Sequence, residues 1–185
     1  MIINCLLGSA ILLLFSYFVF RIMVKNDYSR KLKLSPVSYI LEFLVFLFHA
    51  HFIYLITPVN WPEIVPLPDS EVLRLISLIL IFIGLIIVII AFFDLGSGPS
   101  FGLDKDRLKT NGIYKFSRNP QIAGYGLILL VFTIIILSWC SVWWFIQYII
   151  ISYFMIKSEE EFLSRKYGEE YKKYCSSVSR IIIFF

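Results

Sequence analysis

Five apolar runs dominate the sequence and restrict the folds that are open to it. The first three, at about residues 2–23, 37–59 and 72–93, reach the ~20 residues that a helix needs to cross a ~30 Å hydrocarbon core. The last two, 122–137 and 142–156, are shorter and meet at residues 138–141, which predicts a tight helical hairpin in a locally thinned bilayer. Hydrophobic residues make up 59% of the 185 residues, more than a soluble domain of this size buries. The sequence therefore predicts an all-α integral membrane protein with about five transmembrane helices.

The basic residues predict how the chain is oriented in the membrane. In the five-span arrangement, all but one of the 17 Lys and Arg residues lie at the same end of the bundle, the exception being Arg74. The positive-inside rule assigns this end to the cytoplasm, so we expect the N-terminus outside and the C-terminus inside. The four tryptophans fall near the opposite interface, as in an aromatic belt: Trp61, Trp139, Trp143 and Trp144.

Charge and cysteine usage exclude some classes of function. A net charge of +4 is too small and too scattered for a nucleic-acid binder. The three cysteines share no close spacing, so the sequence predicts neither a disulfide framework nor a metal site.

We expect one domain over residues 1–185, with three N-terminal spans in 1–93. The remainder, 94–185, is predicted to contain a loop, the helical hairpin and a C-terminal helix at 157–174 on the cytoplasmic side. Apolar and aromatic residues recur along that helix at steps of three and four: Leu163, Tyr167, Tyr171 and Tyr174. Glu159 and Glu160 fall on or beside this stripe, which predicts two carboxylates that face inward at the membrane surface.

A polar run at 112–120 precedes the fourth span. Proline lacks an amide proton and disfavours helix in the residue before it, so Asn119 is expected to end the loop and Pro120 to begin the helix. The free N–H groups and partial positive charge of a helix start suit a ligand carboxylate. The alternative is a simple helix start whose Arg118 contacts lipid phosphate.

Glu159 and Glu160 also have two interpretations. They could form a structural ion pair with Arg118 or a neighbouring lysine. Alternatively, they could hold the hydroxyls or the amine of a polar cofactor beside the bilayer. Ionisable groups that face the interior of a membrane bundle are costly, which favours a functional role.

Taken together, these two segments resemble motifs of the isoprenylcysteine carboxyl methyltransferase family, which is similar to the phospholipid N-methyltransferases. The family's first motif, Gly-x-Tyr-x-x-x-Arg-His-Pro-x-Tyr, reads here as Gly112-Ile113-Tyr114 followed by Arg118-Asn119-Pro120-Gln121-Ile122. The second motif reads here as Glu159-Glu160, Leu163, Tyr167-Gly168, Tyr171, Tyr174 and Val178. The resemblance covers about residues 94–183.

The resemblance implies S-adenosylmethionine-dependent methyl transfer to a membrane-resident acceptor, either a lipid or a prenyl-like molecule, with the cofactor on the cytoplasmic face. The implied partners are membrane lipids and a lipophilic methyl acceptor, with no nucleic acid and no metal. No catalytic residue is assigned, and the candidates are Arg118, Asn119 and Glu160. The implied cofactor-binding residues are Leu108, Lys109, Tyr114, Asn119, Pro120, Gln121, Ile122 and Glu159.

The chain departs from the family pattern at three positions. Asn119 replaces the family's histidine and Ile122 its tyrosine, and Asn can donate a hydrogen bond but cannot titrate near neutral pH. Met155 stands where the eukaryotic prenylcysteine enzymes carry an arginine for the substrate carboxylate, which counts against that substrate. Two alternatives stay open: an NADPH-dependent enzyme like the membrane sterol reductases, and a non-catalytic membrane protein that retains the fold.

Overall fold

A computed structural model describes residues 2–57, 59–63, 65–96 and 108–181, and all regular secondary structure within these ranges is helical. Most of the predicted loop after the third span, residues 97–107, lies outside the described ranges. The helices are α1 (Ile2–Tyr17), a π-helical segment (Phe18–Val24), α2 (Lys25–Arg30), α3 (Pro36–His51), α4 (Ile53–Ile56), α5 (Glu71–Leu95), a 3₁₀ turn (Gly112–Lys115), α6 (Pro120–Ile136), α7 (Trp139–Tyr167) and α8 (Glu169–Ser177).

The helices confirm an all-α integral membrane protein. Within the described ranges, four helical stretches are long and apolar enough to cross a bilayer: Cys5–Arg30, Pro36–Ile56, Glu71–Leu95 and Trp139–Tyr167. The fourth predicted span is the shorter apolar helix α6, whose 17 residues extend about 26 Å at 1.5 Å per residue. A helix of this length needs thinning of the bilayer or burial against its neighbours.

One predicted boundary is wrong. We expected the fifth span to end at Ile156 and a separate helix to cover 157–174, but α7 continues without interruption for 29 residues to Tyr167. The sequence changes from apolar to charged near Lys157, yet no residue there interrupts backbone hydrogen bonding, so the helix continues. The chain bends instead at Gly168, where φ is +52°.

The predicted hairpin between α6 and α7 is confirmed, and it is tight. Leu137 adopts a left-handed conformation with φ +41° and ends α6. Ser138 then caps α7, because its hydroxyl accepts a hydrogen bond from the Ser141 amide at 3.1 Å, while the Ser141 hydroxyl accepts one from the Ser138 amide at 3.1 Å. This reciprocal capping satisfies two amide groups at the helix start and fixes the turn.

Helices α5 and α6 pack through two glycines. A Cβ atom added at Gly84 would lie 2.7 Å from the Gly124 carbonyl oxygen, and one added at Gly124 would lie 2.6 Å from the Gly84 carbonyl oxygen. The two backbones are therefore in direct contact, as in small-residue interfaces between membrane helices. This contact holds the first turns of α6 against the middle of α5.

Polar contacts join the first span to α7. Arg21, in the π-helical segment, donates to the Ser158 hydroxyl at 2.9 Å and pairs with Glu161 at 2.9 Å. The Ser158 hydroxyl in turn donates to the Phe20 carbonyl at 2.8 Å. Because these groups fix the charged half of α7, its next turns hold a defined orientation at the end of the bundle.

Candidate active site

A cavity of about 560 Å³ lies where α5 ends, α6 begins and the charged half of α7 emerges. Residues from the two separate sequence motifs line it together. The eight residues implied as cofactor ligands are all in its lining: Leu108, Lys109, Tyr114, Asn119, Pro120, Gln121, Ile122 and Glu159. The catalytic candidates Arg118 and Glu160 line it as well.

Asp94, near the end of α5, fastens the loop that precedes the 3₁₀ turn. Its carboxylate accepts a hydrogen bond from the Ile113 amide at 2.8 Å and lies 3.5 Å from the Lys109 ammonium group. Gly112 lies so close to Asp94 that an added Cβ would be 1.7 Å from Asp94 Oδ2. The φ angle of Gly112 is +61°. Only glycine fits this space and this backbone conformation without rearrangement.

Tyr114 forms one buried wall of the cavity. Its hydroxyl donates to the Ala91 carbonyl at 3.4 Å, and its own carbonyl accepts a 2.6 Å hydrogen bond from the Tyr174 hydroxyl of α8. Burial, and next the negative charge of Glu159, raise the pKa of Tyr114. Burial raises the pKa of Tyr174 to about 12. Both phenols are therefore neutral hydrogen-bonding groups over the physiological pH range.

The start of α6 presents free backbone donors to the cavity. Pro120 has no N–H, and the Asn119 amide donates to the Ser117 hydroxyl at 3.1 Å. The first intrahelical bond runs from the Ala123 amide to the Asn119 carbonyl at 3.0 Å. The amides of Gln121 and Ile122 therefore have no intrahelical acceptor, as expected in the first turn of a helix. These two N–H groups are the ones available to an anionic ligand group.

Arg118 and Glu160 form the most densely bonded ionic cluster at the cavity. Arg118 Nη1 lies 3.0 Å from Glu160 Oε1 and 2.7 Å from the Cys175 sulfur. Arg180 binds the same carboxylate through two nitrogens, at 3.0 and 2.8 Å. The ion-pair interpretation of Glu160 is thus correct, and it includes a second arginine. Arg118 Nε is buried and has no hydrogen-bond partner within the described ranges.

The Asn119 side chain makes its hydrogen bond to the C-terminal segment. Its amide nitrogen donates to the Arg180 carbonyl at 2.8 Å, and the neighbouring Arg118 backbone amide donates to the Ser179 carbonyl at 3.0 Å. The residue that replaces the family's histidine therefore connects the helix start to the chain that follows α8.

A second cavity, of about 930 Å³, adjoins the first. It is a groove along α6 and α7 with a mainly apolar lining that includes Leu130, Phe145 and Ile149, and it ends at charged residues. The two cavities share four lining residues: Arg118, Ile122, Glu160 and Tyr171.

Sequence reasoning did not identify several residues of the lining. Asp94 and Asn111 lie outside the two motifs, and their contribution depends on how the loop folds back onto α5. Tyr167, Tyr171 and Tyr174 were identified only as a stripe that packs inward, yet all three also line the cavity. The signal that could have indicated their role is their aromatic character beside an inward-facing carboxylate.

The fold and the two cavities define an integral membrane protein in which a polar cavity at the bundle end adjoins an apolar groove. Residues 72–170 match the phospholipid methyltransferase family, and the match covers more than half of the chain. The chain therefore belongs to the phospholipid methyltransferase family, which is grouped with the isoprenylcysteine carboxyl methyltransferases among membrane methyltransferases. Comparison with curated proteins and with solved structures gives no match.

Proposed function

We propose that this membrane methyltransferase binds S-adenosylmethionine in the 560 Å³ cavity and methylates a lipophilic acceptor that occupies the adjoining groove. The observation that carries the proposal is the shared cavity. Residues from the Gly112–Pro120 segment and from the Glu159–Glu160 region of α7 are far apart in the chain, yet they surround one space. Its volume lies within the range of about 300–1,000 Å³ that is typical of small-molecule sites.

The polar groups of the cavity fit the charges of this cofactor. The amides of Gln121 and Ile122, which have no acceptor within their own helix, and the positive charge of Arg118 are suited to its carboxylate. Glu159 is suited to its amine or its ribose hydroxyls, and Leu108 and Lys109 to its adenosyl side. When bound, the cofactor supplies a methyl group, and transfer of that group to an acceptor nucleophile leaves S-adenosylhomocysteine.

The adjoining groove supports a lipid-borne acceptor. Its apolar lining suits hydrocarbon chains, and its polar end is formed by residues that also line the cofactor cavity, Arg118 and Glu160. A nucleophile at that end would approach the methyl donor from the membrane side. Methyl transfer depends on in-line positioning more than on a strong base, which is consistent with a site that contains no histidine among the described lining residues.

The proposed functional unit is one domain over residues 1–185, with spans in 1–93 and the cofactor-binding part in 94–185. The concentration of Lys and Arg at the cavity end supports a cytoplasmic location for the site and the C-terminus, with the N-terminus outside. A water-soluble cofactor then reaches the cavity from the cytoplasm.

Calorimetry on detergent-solubilised protein tests the proposal. We expect S-adenosylhomocysteine to bind with a Kd in the micromolar range, and we expect Tyr114→Ala and Glu159→Ala each to weaken binding at least about tenfold, or about 1.4 kcal/mol. Glu169→Ala is the matched control, because this carboxylate is exposed on α8, where it pairs with Lys172 at 2.6 Å. Thermal unfolding of each variant establishes that it is folded.

The same titrations separate the alternatives. Binding of NADPH in place of S-adenosylhomocysteine would support a reductase like the sterol-modifying enzymes, and binding of neither would support a non-catalytic protein. Unchanged S-adenosylhomocysteine affinity in both cavity variants would contradict the proposed site.

A further inference from the structure

The chain that follows α8 lines the groove beside Glu160, one of the residues that the two cavities share. Residues 178–181 cross from the end of α8 to the start of α6, and Arg180 and Ile181 line the groove but not the cofactor cavity. The segment therefore forms a wall of the proposed acceptor site at the point where that site approaches the cofactor. We refer to residues 178–181 as the partition segment.

Two hydrogen bonds attach the partition segment to the start of α6. The Arg118 backbone amide donates to the Ser179 carbonyl at 3.0 Å, and the Asn119 side-chain amide donates to the Arg180 carbonyl at 2.8 Å. The first bond uses a backbone group and survives most substitutions. The second depends entirely on the Asn119 side chain.

A third attachment joins the segment to α7. The Arg180 guanidinium group binds Glu160 through Nε and Nη2, at 3.0 and 2.8 Å, and this pairing raises the pKa of Arg180. Two parallel bonds between a guanidinium group and a carboxylate fix the orientation of both groups. Because Glu160 also binds Arg118, the segment, α6 and α7 are joined at a single carboxylate.

We propose that Asn119 and Arg180 are positioning residues that hold the partition segment in place, so that an acceptor in the groove meets the cofactor only beside Glu160. This inference rests on the proposed function and adds to it. It also gives Asn119 a role that does not require the proton transfer of a histidine. Neither residue acts on the reacting atoms; each acts through the position of the segment.

The proposal predicts effects on the acceptor side that leave the cofactor side intact. Without the Asn119 side chain, the segment loses one of its two links to α6, while the free amides of Gln121 and Ile122 are unchanged. Without the Arg180 side chain, Glu160 keeps its contact with Arg118. Affinity for S-adenosylhomocysteine should therefore persist in the Arg180 variant, because Arg180 lines the groove and not the cofactor cavity, while the wall of the groove loosens.

Cys175 reports directly on the segment. Its sulfur lies 2.7 Å from Arg118 Nη1 in the groove whose lining also includes Arg180 and Ile181, and the residue is half-buried. With Cys5 and Cys140 replaced by alanine, we would measure the rate at which a small water-soluble maleimide labels Cys175. Asn119→Ala and Arg180→Ala should each raise this rate at least about fivefold. Because both side chains hold the same segment, the increase in the double variant should be smaller than the product of the two single increases. Lys172→Ala, an exposed change on α8, is the control and should leave the rate unchanged.

Kinetics then connect the segment to the acceptor. With labelled S-adenosylmethionine and lipids extracted from the membranes that contain the protein, Arg180→Ala should raise the lipid concentration for half-maximal methylation at least about fivefold. The cofactor concentration for half-maximal rate should stay within about twofold of wild type. A purely structural defect would change both values together with the thermal stability.

Unchanged Cys175 labelling in both single variants would overturn the proposal, as would a loss of cofactor affinity equal to the loss of acceptor affinity. If Asn119→Ala does not fold, Asn119→Asp takes its place, because it removes the donor and keeps the size of the side chain. Failure of the proposed function has a different signature: the wild-type protein would bind no S-adenosylhomocysteine, whatever the labelling rates.

Discussion

At the scale of single residues, Gly112 satisfies two demands at once. Its φ is +61°, and an added Cβ would lie 1.7 Å from Asp94 Oδ2. We expect Gly112→Ala to displace the loop from Asp94, at a backbone cost on the order of 1–3 kcal/mol plus the clash, and to weaken S-adenosylhomocysteine binding at least about tenfold. Thermal unfolding and calorimetry measure the two effects.

Gly168→Ala is the control for the cost of placing alanine at a positive φ angle. Its φ is +52°, but no heavy atom lies within 4 Å of an added Cβ. This variant should lose thermal stability while it retains cofactor-analogue affinity. If Gly112→Ala and Gly168→Ala affected binding equally, the contact between Gly112 and Asp94 would have no special role in shaping the cavity.

The sequence predicted which side chains gather at the site better than it predicted how they are bonded. Arg118, Asn119 and Glu160 were identified because two spaced motifs resemble those of a known family. The bond from Asn119 to the Arg180 carbonyl could not be predicted, since it depends on the path of the chain after α8. Asp94 was missed for a similar reason: its partners are a distant backbone amide and Lys109, and no local pattern indicates either. The binding roles of all these residues stay predictions.

At the scale of helices, the contact between Gly84 and Gly124 sets the distance between α5 and α6. In Gly124→Ala the added Cβ would lie 2.6 Å from a backbone oxygen, so the helices must separate, because backbone cannot rotate out of the way. We expect a loss of about 1–3 kcal/mol, the usual cost of overpacking, seen as a lower unfolding temperature in detergent.

Gly8→Ala provides the comparison for this helix contact. There the added Cβ would meet the Phe52 ring at 3.1 Å, and a side chain can shift by a few tenths of an ångström. The loss of stability should be clearly smaller than for Gly124→Ala. Equal losses would show that the distance between α5 and α6 is not fixed by the glycine pair.

Helix boundaries show which structural features sequence patterns predict and which they do not. The hairpin at 138–141 was predicted because two apolar runs meet at polar residues. The reciprocal hydrogen bonds between Ser138 and Ser141, which cap the start of α7, account for it physically. The expected break near Lys157 is absent, because a change in polarity marks the membrane surface and not the end of a helix. The continuous α7 is what carries Glu159 and Glu160 rigidly from the apolar part of the bundle to the cavity.

At the scale of the whole molecule, the cavity with the charged lining and the mainly apolar groove adjoin each other and share four lining residues. The ionic cluster of Arg118, Glu160 and Arg180 lies at the boundary between a polar cavity and an apolar groove. A lipid can approach this boundary within the membrane, and a soluble cofactor can approach it from the aqueous side. Under the proposed function, methyl transfer requires the cavity end to face the compartment that contains the cofactor, so the topology of the chain is a functional property.

The final prediction therefore concerns topology. Ser70 precedes α5 at the end opposite the cavity, and Ser176 lies in α8 at the cavity end; both are exposed. In a chain with its three cysteines replaced, we expect a membrane-impermeant maleimide to label Ser70→Cys in intact cells, and to label Ser176→Cys only after the membrane is permeabilised. The physical reason is that, in the five-span arrangement predicted from the sequence, all Lys and Arg residues except Arg74 fall at the Ser176 end, and short basic segments stay on the cytoplasmic side. The reverse labelling pattern would place the cavity outside the cell and would separate it from cytoplasmic S-adenosylmethionine.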